Sequence, residues 1–552
     1  MRMMKMNICV SRSRLLLAAV LMVLLAATTY ATTPGITGPT FNLTAQAASL
    51  SQPDGAAVYS WGYGCTSGSA PSGYAPAATF ANPPFCNVMQ VPGPTLIVTQ
   101  GQTVTVNLTN NLPTSAGPTS ILFPGFTLTS SCPAAQQGLL TCEAAPGSTV
   151  QYTFVASTPG TRSYYSGTQS DLQVEMGLYG AIVVIPSTIP GVCSAGLPAT
   201  NPGANLTAKQ TWGESTLGDF RLAAAAYNNA NACYDREYLF QFSEMDPKIH
   251  TAALAQVTAA GSCTYGNSGC SLNVPTEPYS PAYFLINGRS MPDDMDPNYA
   301  SEYPHQPYNG NPHMHPGELV LLRIIGQGRW QHPFHEHGNH VRVLARDGNL
   351  IVSQSDQTQL AGPLLFTTTT TPGLAMDGIF YYTAKGLNWD MYGHNPGSQD
   401  RNAVLACTPD ANGYNTGAPT ALNYFEWCQD HNKPLEVAAF GDVGSGGPAT
   451  LPDPNILTNG PWFGGSPYLG PDATTRATFG TCTGTNATTS CSTTGTTPPS
   501  GTIANPPGSE AGFAFMWHSH NEREITTNNI FPGGMLMMML VDSREFVIDE
   551  SN

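Results

Sequence analysis

The chain has 552 residues, enough for two or three domains of ordinary size, and a formal net charge of −16. Such an acidic excess argues against nucleic acid as a partner. Only 10% of the residues are charged and 41% are hydrophobic, with 56 glycines and 47 prolines. This composition argues against a disordered chain and is typical of a β-rich exported protein with long ordered loops.

Residues 1–31 have the pattern of an export signal. Four basic residues lie between positions 2 and 14. An apolar stretch, 15–27, follows them and is too short for a membrane span. Removing the signal takes the net charge to −20, because it carries four basic residues and no acidic ones. No later segment is long and apolar enough to cross a bilayer. We therefore predict an exported protein of the periplasm, cell surface or extracellular space, without a membrane span.

Thirteen cysteines are present, and Cys9 lies in the signal, which leaves twelve. An even number in an exported protein favours disulfides over thiolate metal binding, and none of the couples has CxxC spacing. Sequence does not determine connectivity. Our expectation is sequential pairing: Cys65/Cys86, Cys132/Cys142, Cys193/Cys233, Cys263/Cys270, Cys407/Cys428 and Cys482/Cys491.

Residues 32–186 are predicted to form one β domain. Apolar residues alternate with polar ones from Val104 to Leu108 and again from Val150 to Val155, which is the period of a strand with one buried face. The next region, 187–275, contains a predicted amphipathic turn near 222–226 and a predicted strand at 238–242. It is either a degenerate middle domain or a long connection.

The third region, 276–552, is predicted to be a second clear β domain. Its expected core strands lie at 284–288, 318–325, 340–345 and 378–382. From about 386 to 510 the chain is rich in Gly, Pro, Thr and Asn, which indicates a loop-rich insertion. Near the end, the run Met535–Leu540 predicts a buried strand, and a methionine-rich metal site is the alternative.

Six of the twelve histidines lie in two short segments, namely His332, His335, His337 and His340, and then His518 and His520. Residues two apart on a strand point to the same face. His335 and His337 should therefore project together, and so should His518 and His520, with Glu336 and Ser519 on the opposite faces. If the two strands pair, four imidazoles converge.

Four imidazoles suit copper, zinc, iron or nickel. If the second strand continues past His520, the same alternation adds Glu522 and Glu524 to its face, and we include both as weaker candidates. The alternative is that these histidines are hydrogen-bonded packing groups without a metal.

The two histidine segments resemble the C-terminal copper-binding segments of multicopper oxidases. The sequence His332-Pro-Phe-His-Glu-His-Gly338 is similar to HPxHxHG, and Trp517-His-Ser-His520 is similar to HCH. Pro92–Thr95, 101–113 and 177–184 resemble the first domain of the same family. The resemblance implies an all-β fold of Greek-key cupredoxin-like β-sandwich domains, two of them clear, with the middle region as a candidate degenerate third.

The chain departs from the family at its copper ligands. The cysteine of HCH is Ser519 here, and a blue, or type 1, copper is built on a thiolate. The first-domain segments that carry HWHG and HSH in the family read Ser120–Gly125 and Ser163–Gly167, and the first histidine of the chain is His250. The sequence therefore supports neither a blue copper nor a three-copper cluster of the usual kind.

The resemblance also assigns roles to the remaining candidates. His335 matches a type 2 copper ligand, and His337, His518 and His520 match type 3 ligands. His332 matches a type 1 ligand, as does Met535 if 525–534 is an insertion. The second type 1 histidine is replaced by Glu524. The implied cofactor is copper, with another divalent metal as the alternative.

Two functions are consistent with these observations. The first is an exported copper-binding protein like the multicopper oxidases, whose histidine-rich site keeps only some of the family's ligands. If it is active, it is a metal-dependent oxidoreductase without blue copper. Its substrate would be a small molecule or a metal ion that the sequence does not identify. The second is a non-catalytic scaffold, filament or copper-storage protein on the same fold. Whether the chain forms a homo-oligomer is left open.

Overall fold

The computed structural model describes residues 33–75, 86–129, 132–194, 222–315, 317–382, 511–542 and 548, together with five short strands between 466 and 504. In these ranges the chain is mostly β-sheet. Three α-helices are present there: α1 (Ser170–Gln173), α2 (Gly191–Ser194) and α3 (Pro247–Ala260). No helix in these ranges is both long enough and apolar enough to span a bilayer. The predicted signal, 1–31, lies outside the described residues.

The first nine strands form a β-sandwich. They are β1 (Gly35–Thr37), β2 (Thr40–Ser51), β3 (Ala57–Cys65), β4 (Gly73–Ala75), β5 (Leu96–Thr99), β6 (Thr103–Asn110), β7 (Thr149–Val155), β8 (Gly160–Tyr165) and β9 (Tyr179–Ile185). One sheet has the order β4-β1-β5-β9-β8 and the other β3-β2-β6-β7. Alternate residues of both sheets, such as Leu43, Val106 and Ile182, are buried in one shared core.

Most of the later strands form a second sandwich. They are β10 (Arg236–Met245), β11 (Tyr283–Ile286), β12 (His313–Met314), β13 (Leu319–Gly326), β14 (Pro333–Glu336), β15 (Val341–Arg346), β16 (Asn349–Leu350), β17 (Leu364–Leu365), β18 (Thr367–Thr369), β19 (Ala375–Tyr381), β20 (Ser466–Leu469), β25 (Ala511–Ser519) and β26 (Leu536–Asp542). Four further strands form two isolated pairs: β21 (Thr474–Thr475) with β24 (Ile503–Ala504), and β22 (Cys482–Thr483) with β23 (Ser490–Cys491).

The second sandwich also has two sheets around one core. The first sheet has the order β11-β10-β13-β19-β15-β16, with β17 paired to β15; the second has the order β12-β26-β25-β14-β18, with β20 paired to β25. Phe242 and Leu322 of the first sheet meet Phe334 and Trp517 of the second in the core. Met535, Met537 and Met539 are buried in the same core, so the methionine run is a core strand.

The region between the two sandwiches contributes to the second of them. Strand β10, which contains the strand predicted at 238–242, pairs with β13 in parallel and with β11 antiparallel. Residues 222–226 form bends rather than a helical turn. The long helix α3 follows β10 and was not predicted. Asp246 is its N-cap, because its carboxylate accepts a hydrogen bond of 3.0 Å from the N–H of Lys248. Pro247 occupies the first helical position, where its missing N–H costs nothing.

Buried polar groups join the two sandwiches. Thr161 of β8 donates a hydrogen bond of 2.6 Å to Asp377 of β19 and accepts one of 3.0 Å from Arg323 of β13. Arg323 also donates to Glu237 of β10 at 2.7 Å. The interface therefore includes paired charges, and Thr161, Asp377, Arg323 and Glu237 are hydrogen-bonded there.

Four of the expected disulfides are formed: Cys65–Cys86, Cys132–Cys142, Cys193–Cys233 and Cys263–Cys270. Cys482 and Cys491 face each other as backbone partners in the β22–β23 pair. Their side chains and the Cys407/Cys428 couple lie outside the described residues, so these two pairings remain predictions. Four disulfides are compatible with an exported protein.

Candidate metal centre

Strands β14 and β25 bring the two histidine segments together. They pair antiparallel, with His335 opposite His518 and Phe334 opposite Ser519. The alternation sends Phe334 and Trp517 into the apolar core and leaves the histidines on the other face of the sheet. Burial of the core face therefore fixes which face carries the imidazoles.

The four imidazoles lie within one cluster. Ring centroids are 4.8 Å apart for His335 and His337, 5.2 Å for His337 and His518, and 5.1 Å for His335 and His520. Two ring nitrogens are in direct contact, since His337 Nε2 lies 3.3 Å from His518 Nε2. These two nitrogens share a hydrogen or face a common cation, because two lone pairs at that distance repel each other.

Hydrogen bonds fix the orientation of two of the rings. His518 Nδ1 lies 2.7 Å from the carbonyl oxygen of Ser519, which can only accept, so this nitrogen carries the proton. His518 Nε2 then carries the lone pair. His335 Nδ1 is held by the hydroxyl of Thr367 at 2.9 Å. Partners of this kind set the tautomer and orientation of metal-binding histidines.

Three imidazoles of the cluster, those of His335, His337 and His518, favour the neutral form. Burial, followed by the neighbouring His335, His518 and His520, lowers the pKa of His337 to about 4. Burial also lowers the pKa of His335 and His518, and nearby histidines add to the effect. Neutral imidazoles are the form that binds a metal ion.

The side chains are not arranged as a finished coordination shell. In the described part of the chain, no group of three or more His, Cys, Asp or Glu side chains could hold a metal ion as it stands. The rings of His335, His337 and His518 meet edge to face, at 76° to 80°. Metal binding by all four would therefore require some of these rings to rotate.

The positions that the resemblance assigns to blue copper are occupied by an ion-paired network. His332 is buried, with Nε2 2.9 Å from Glu244 Oε2 and Nδ1 2.9 Å from Glu524 Oε2. Burial opposes a charge on this ring, but the hydrogen bonds to Glu244 and Glu524 outweigh it and raise the pKa of His332 to about 9. Both ring nitrogens therefore face carboxylates and neither is available to a metal in this arrangement.

The remaining blue-copper positions belong to the same network or to the core. Ser519 points to the core side of β25 and donates to Glu524 Oε2 at 2.5 Å, and Asn521 donates to Glu524 Oε1 at 3.0 Å. Met535 is fully buried among apolar side chains. A type 1 copper does not fit these residues.

Strand β25 ends at Ser519, and this changes the two weaker carboxylate candidates. The alternation that would have placed Glu522 and Glu524 beside His518 and His520 stops at the turn that follows. Glu522 is exposed. Glu524 is buried on the core side, where it contacts His332.

In the first-domain segments that lack histidines, serine side chains form hydrogen bonds with neighbouring groups. Ser163 donates to Gln327 at 2.8 Å, and Ser120 accepts from the N–H of Gly167 at 3.0 Å. Neither segment offers imidazole ligands, so a three-copper cluster shared between the sandwiches does not fit this chain.

Two important partners were not predicted from sequence. Thr367 lies on the short edge strand β18, in a run of threonines that gives no local sign of a contact with His335. Glu244 lies on β10, 88 residues before His332. The available signal for Glu244 was an acidic residue in an apolar strand, because buried carboxylates are rarely unpaired.

Comparison with known proteins supports the family resemblance. Residues 85–188, in the first sandwich, match the family model described as multicopper oxidase. This match confirms the predicted resemblance to multicopper oxidases, and the two sandwiches confirm the predicted all-β fold. No curated protein sequence matches the chain.

Several solved structures have a similar fold. The multicopper oxidase mgLAC is 15% identical, with 91% of this chain and 86% of that chain covered and a TM-score of 0.40. The blue copper oxidase from Nitrosomonas europaea is 15% identical, with 91% and 85% covered and a TM-score of 0.41. The copper nitrite reductase from the same organism is 18% identical, with 63% and 86% covered and a TM-score of 0.37.

Proposed function

We propose that this protein is an exported, copper-binding member of the multicopper-oxidase-like group. We propose further that it has one metal site in place of the several copper sites of that group. The site consists of His335, His337, His518 and His520. His332, Glu524 and Met535 are not part of it, because they belong to the ion-paired network or the core. Export is supported by the signal pattern and is compatible with the four disulfides.

The observation that carries the proposal is the 3.3 Å contact between His337 Nε2 and His518 Nε2 within a cluster of four imidazoles. Metal–nitrogen bonds of about 2.0–2.1 Å at a tetrahedral angle place two ligand nitrogens roughly 3.3–3.4 Å apart. This pair is therefore already spaced as two ligands of one ion. The ring centroids of His335 and His520 are 5.1 Å apart in the same cluster. Because Thr367 holds His335, rotation of the His520 ring would complete four-coordination.

The donor set fits copper held by nitrogen, with zinc as the competing ion. A bound copper would supply one-electron redox chemistry, which suits oxidation of a small molecule, reaction with peroxide, or storage and transport of the metal itself. The protein's own part is to keep His335, His337 and His518 neutral. It also fixes His335 through Thr367 and His518 through the Ser519 carbonyl.

Metal content tests this proposal. The chain is purified from an exporting host, stripped with chelator, reloaded with Cu(II) and examined by elemental analysis and electron paramagnetic resonance. We expect one copper per chain, with a spectrum of nitrogen-bound copper and without the features of a thiolate ligand. Protein that binds no copper, or that binds three or more ions per chain, contradicts the proposal.

A further inference from the structure

A second centre lies on the core side of the same strands, and it uses three separate segments. Glu244 is on β10, His332 directly precedes β14, and Glu524 is in the turn after β25. The three side chains are 0–1% exposed. His332 lies between the two carboxylates, 2.9 Å from each.

The hydrogen bonds of this centre require an added proton. A neutral imidazole has one N–H, so it can donate to one carboxylate only. Here both nitrogens of His332 contact a carboxylate oxygen. The centre must therefore hold a second proton. We place it on His332, as an imidazolium between two carboxylates, because carboxylate oxygens face both ring nitrogens.

The rest of the centre is fully hydrogen-bonded. Glu244 Oε1 accepts from the N–H of Arg329 at 2.7 Å and of Trp330 at 2.9 Å. Glu524 accepts from Ser519 and Asn521. Buried ionic groups persist when each is paired and its remaining lone pairs are satisfied, whereas removal of one partner leaves a buried charge uncompensated.

We propose that a proton on His332, held between Glu244 and Glu524, takes the place that the resemblance assigns to blue copper and clamps β10, β14 and the turn after β25 together without a metal. The clamp is separate from the four-histidine site and acts in metal-free protein. It makes the stability of the second sandwich depend on pH.

Other titratable groups surround the clamp from each neighbouring element. The hydroxyl of Tyr279 lies 3.1 Å from Glu244 and 2.7 Å from Glu175. Glu175 in turn lies 3.5 Å from His250 Nε2 on α3 and accepts from the N–H of Asp246. The side chain of Arg329 turns away to Glu277 at the surface. None of these groups contacts His332 directly in the hydrogen bonds described here, so the titration of the clamp is assigned to His332.

The sign of the pH effect follows from the raised pKa of His332. Its ordinary value is 6.5, and in the folded protein the pKa is about 9. The stabilisation is therefore fully present below about pH 6.5 and is lost as the pH rises through about 9.

Thermal unfolding of the chelator-treated full chain between about pH 6 and pH 10 tests the proposal. We expect His332→Gln to lower the Tm by roughly 10 °C near neutral pH, as estimated for breaking a buried ion pair. The difference in Tm from the parent should shrink as the pH rises past 9, because the parent then loses the same proton. The matched control is His305→Gln, which replaces a histidine whose Nδ1 contacts the carbonyl of Met89. This control should change the Tm little.

A second variant covers the case in which His332→Gln fails to fold. Glu244→Gln with Glu524→Gln keeps His332 but removes both carboxylates, so its Tm should not show the parent's decline near pH 9. The proposal is overturned if this double variant declines as the parent does. It is equally overturned if His332→Gln is as stable as the parent, or differs from it by the same amount at every pH.

Discussion

At the scale of single residues, Ser519 stands where a blue copper would need a thiolate ligand, so any copper bound here would have nitrogen ligands only. Its hydroxyl is committed to Glu524, on the face of β25 opposite His518 and His520. A thiolate at this position would still lack free imidazoles, because both nitrogens of His332 face carboxylates and Glu524 replaces the second histidine. Several residues, and not Ser519 alone, therefore leave a blue copper without ligands here.

We predict that neither the parent protein nor Ser519→Cys, loaded with Cu(II), shows the intense visible band of thiolate-bound copper in a histidine-rich type 1 site. Absorbance is recorded together with the copper-to-protein ratio, so that a missing band is not mistaken for missing copper. An intense band in Ser519→Cys would mean that His332 gives up a carboxylate to bind the metal.

At the scale of strands, the site depends on three neighbours in one sheet. Strands β14 and β25 carry His335 and His518, and His337 and His520 directly follow the ends of these strands. The edge strand β18 supplies Thr367, which holds His335 Nδ1. Partners of metal-binding histidines typically affect affinity by 10–100-fold when they are removed. The edge strand therefore has a role at the site that its sequence alone does not indicate.

We expect Thr367→Val to weaken copper binding by about 10–100-fold while the Tm of the metal-free protein changes little. Valine keeps the β-branched shape that suits a strand but cannot bond His335. Competition titration with a chelator of known affinity measures the effect. Thr369→Val, on the same face of the same strand, is the control and should leave affinity unchanged; equal loss in both variants would point to a general disturbance of β18.

At the scale of the whole molecule, two kinds of feature could be predicted from the sequence. One is the period of two along strands, and the other is the fold implied by resemblance to a known family. The period of two placed His335 with His337 and His518 with His520, and the resemblance gave the sandwich fold. The methionine run was predicted as a buried strand from composition alone, and Met535, Met537 and Met539 are buried in the core.

Other features could not be predicted because they depend on distant residues meeting. Glu244 and His332 are far apart in sequence, and their contact exists only because the two sheets of the second sandwich pack face to face. The end of β25 at Ser519 was likewise hidden, since nothing local distinguishes a strand that stops there from one that continues to Glu524. Both features decide whether Glu524 lies beside the histidine cluster or on the core side of the sheet.

The most direct test of the four-histidine site is the copper stoichiometry of the double variant His337→Ala with His518→Ala. The two substitutions remove one ligand from each histidine segment, so only two imidazoles of the cluster remain, too few for a four-coordinate site. In chelator its Tm should match that of the parent, because stabilisation by a bound ion follows RT ln(1 + [L]/Kd) and vanishes without free metal. His305→Ala is the control.

We predict about one copper per chain in the parent and in the control, and none in the double variant after equilibrium dialysis against a weak competitor. If the double variant binds copper with the parent's stoichiometry and affinity, His335, His337, His518 and His520 do not form the metal site.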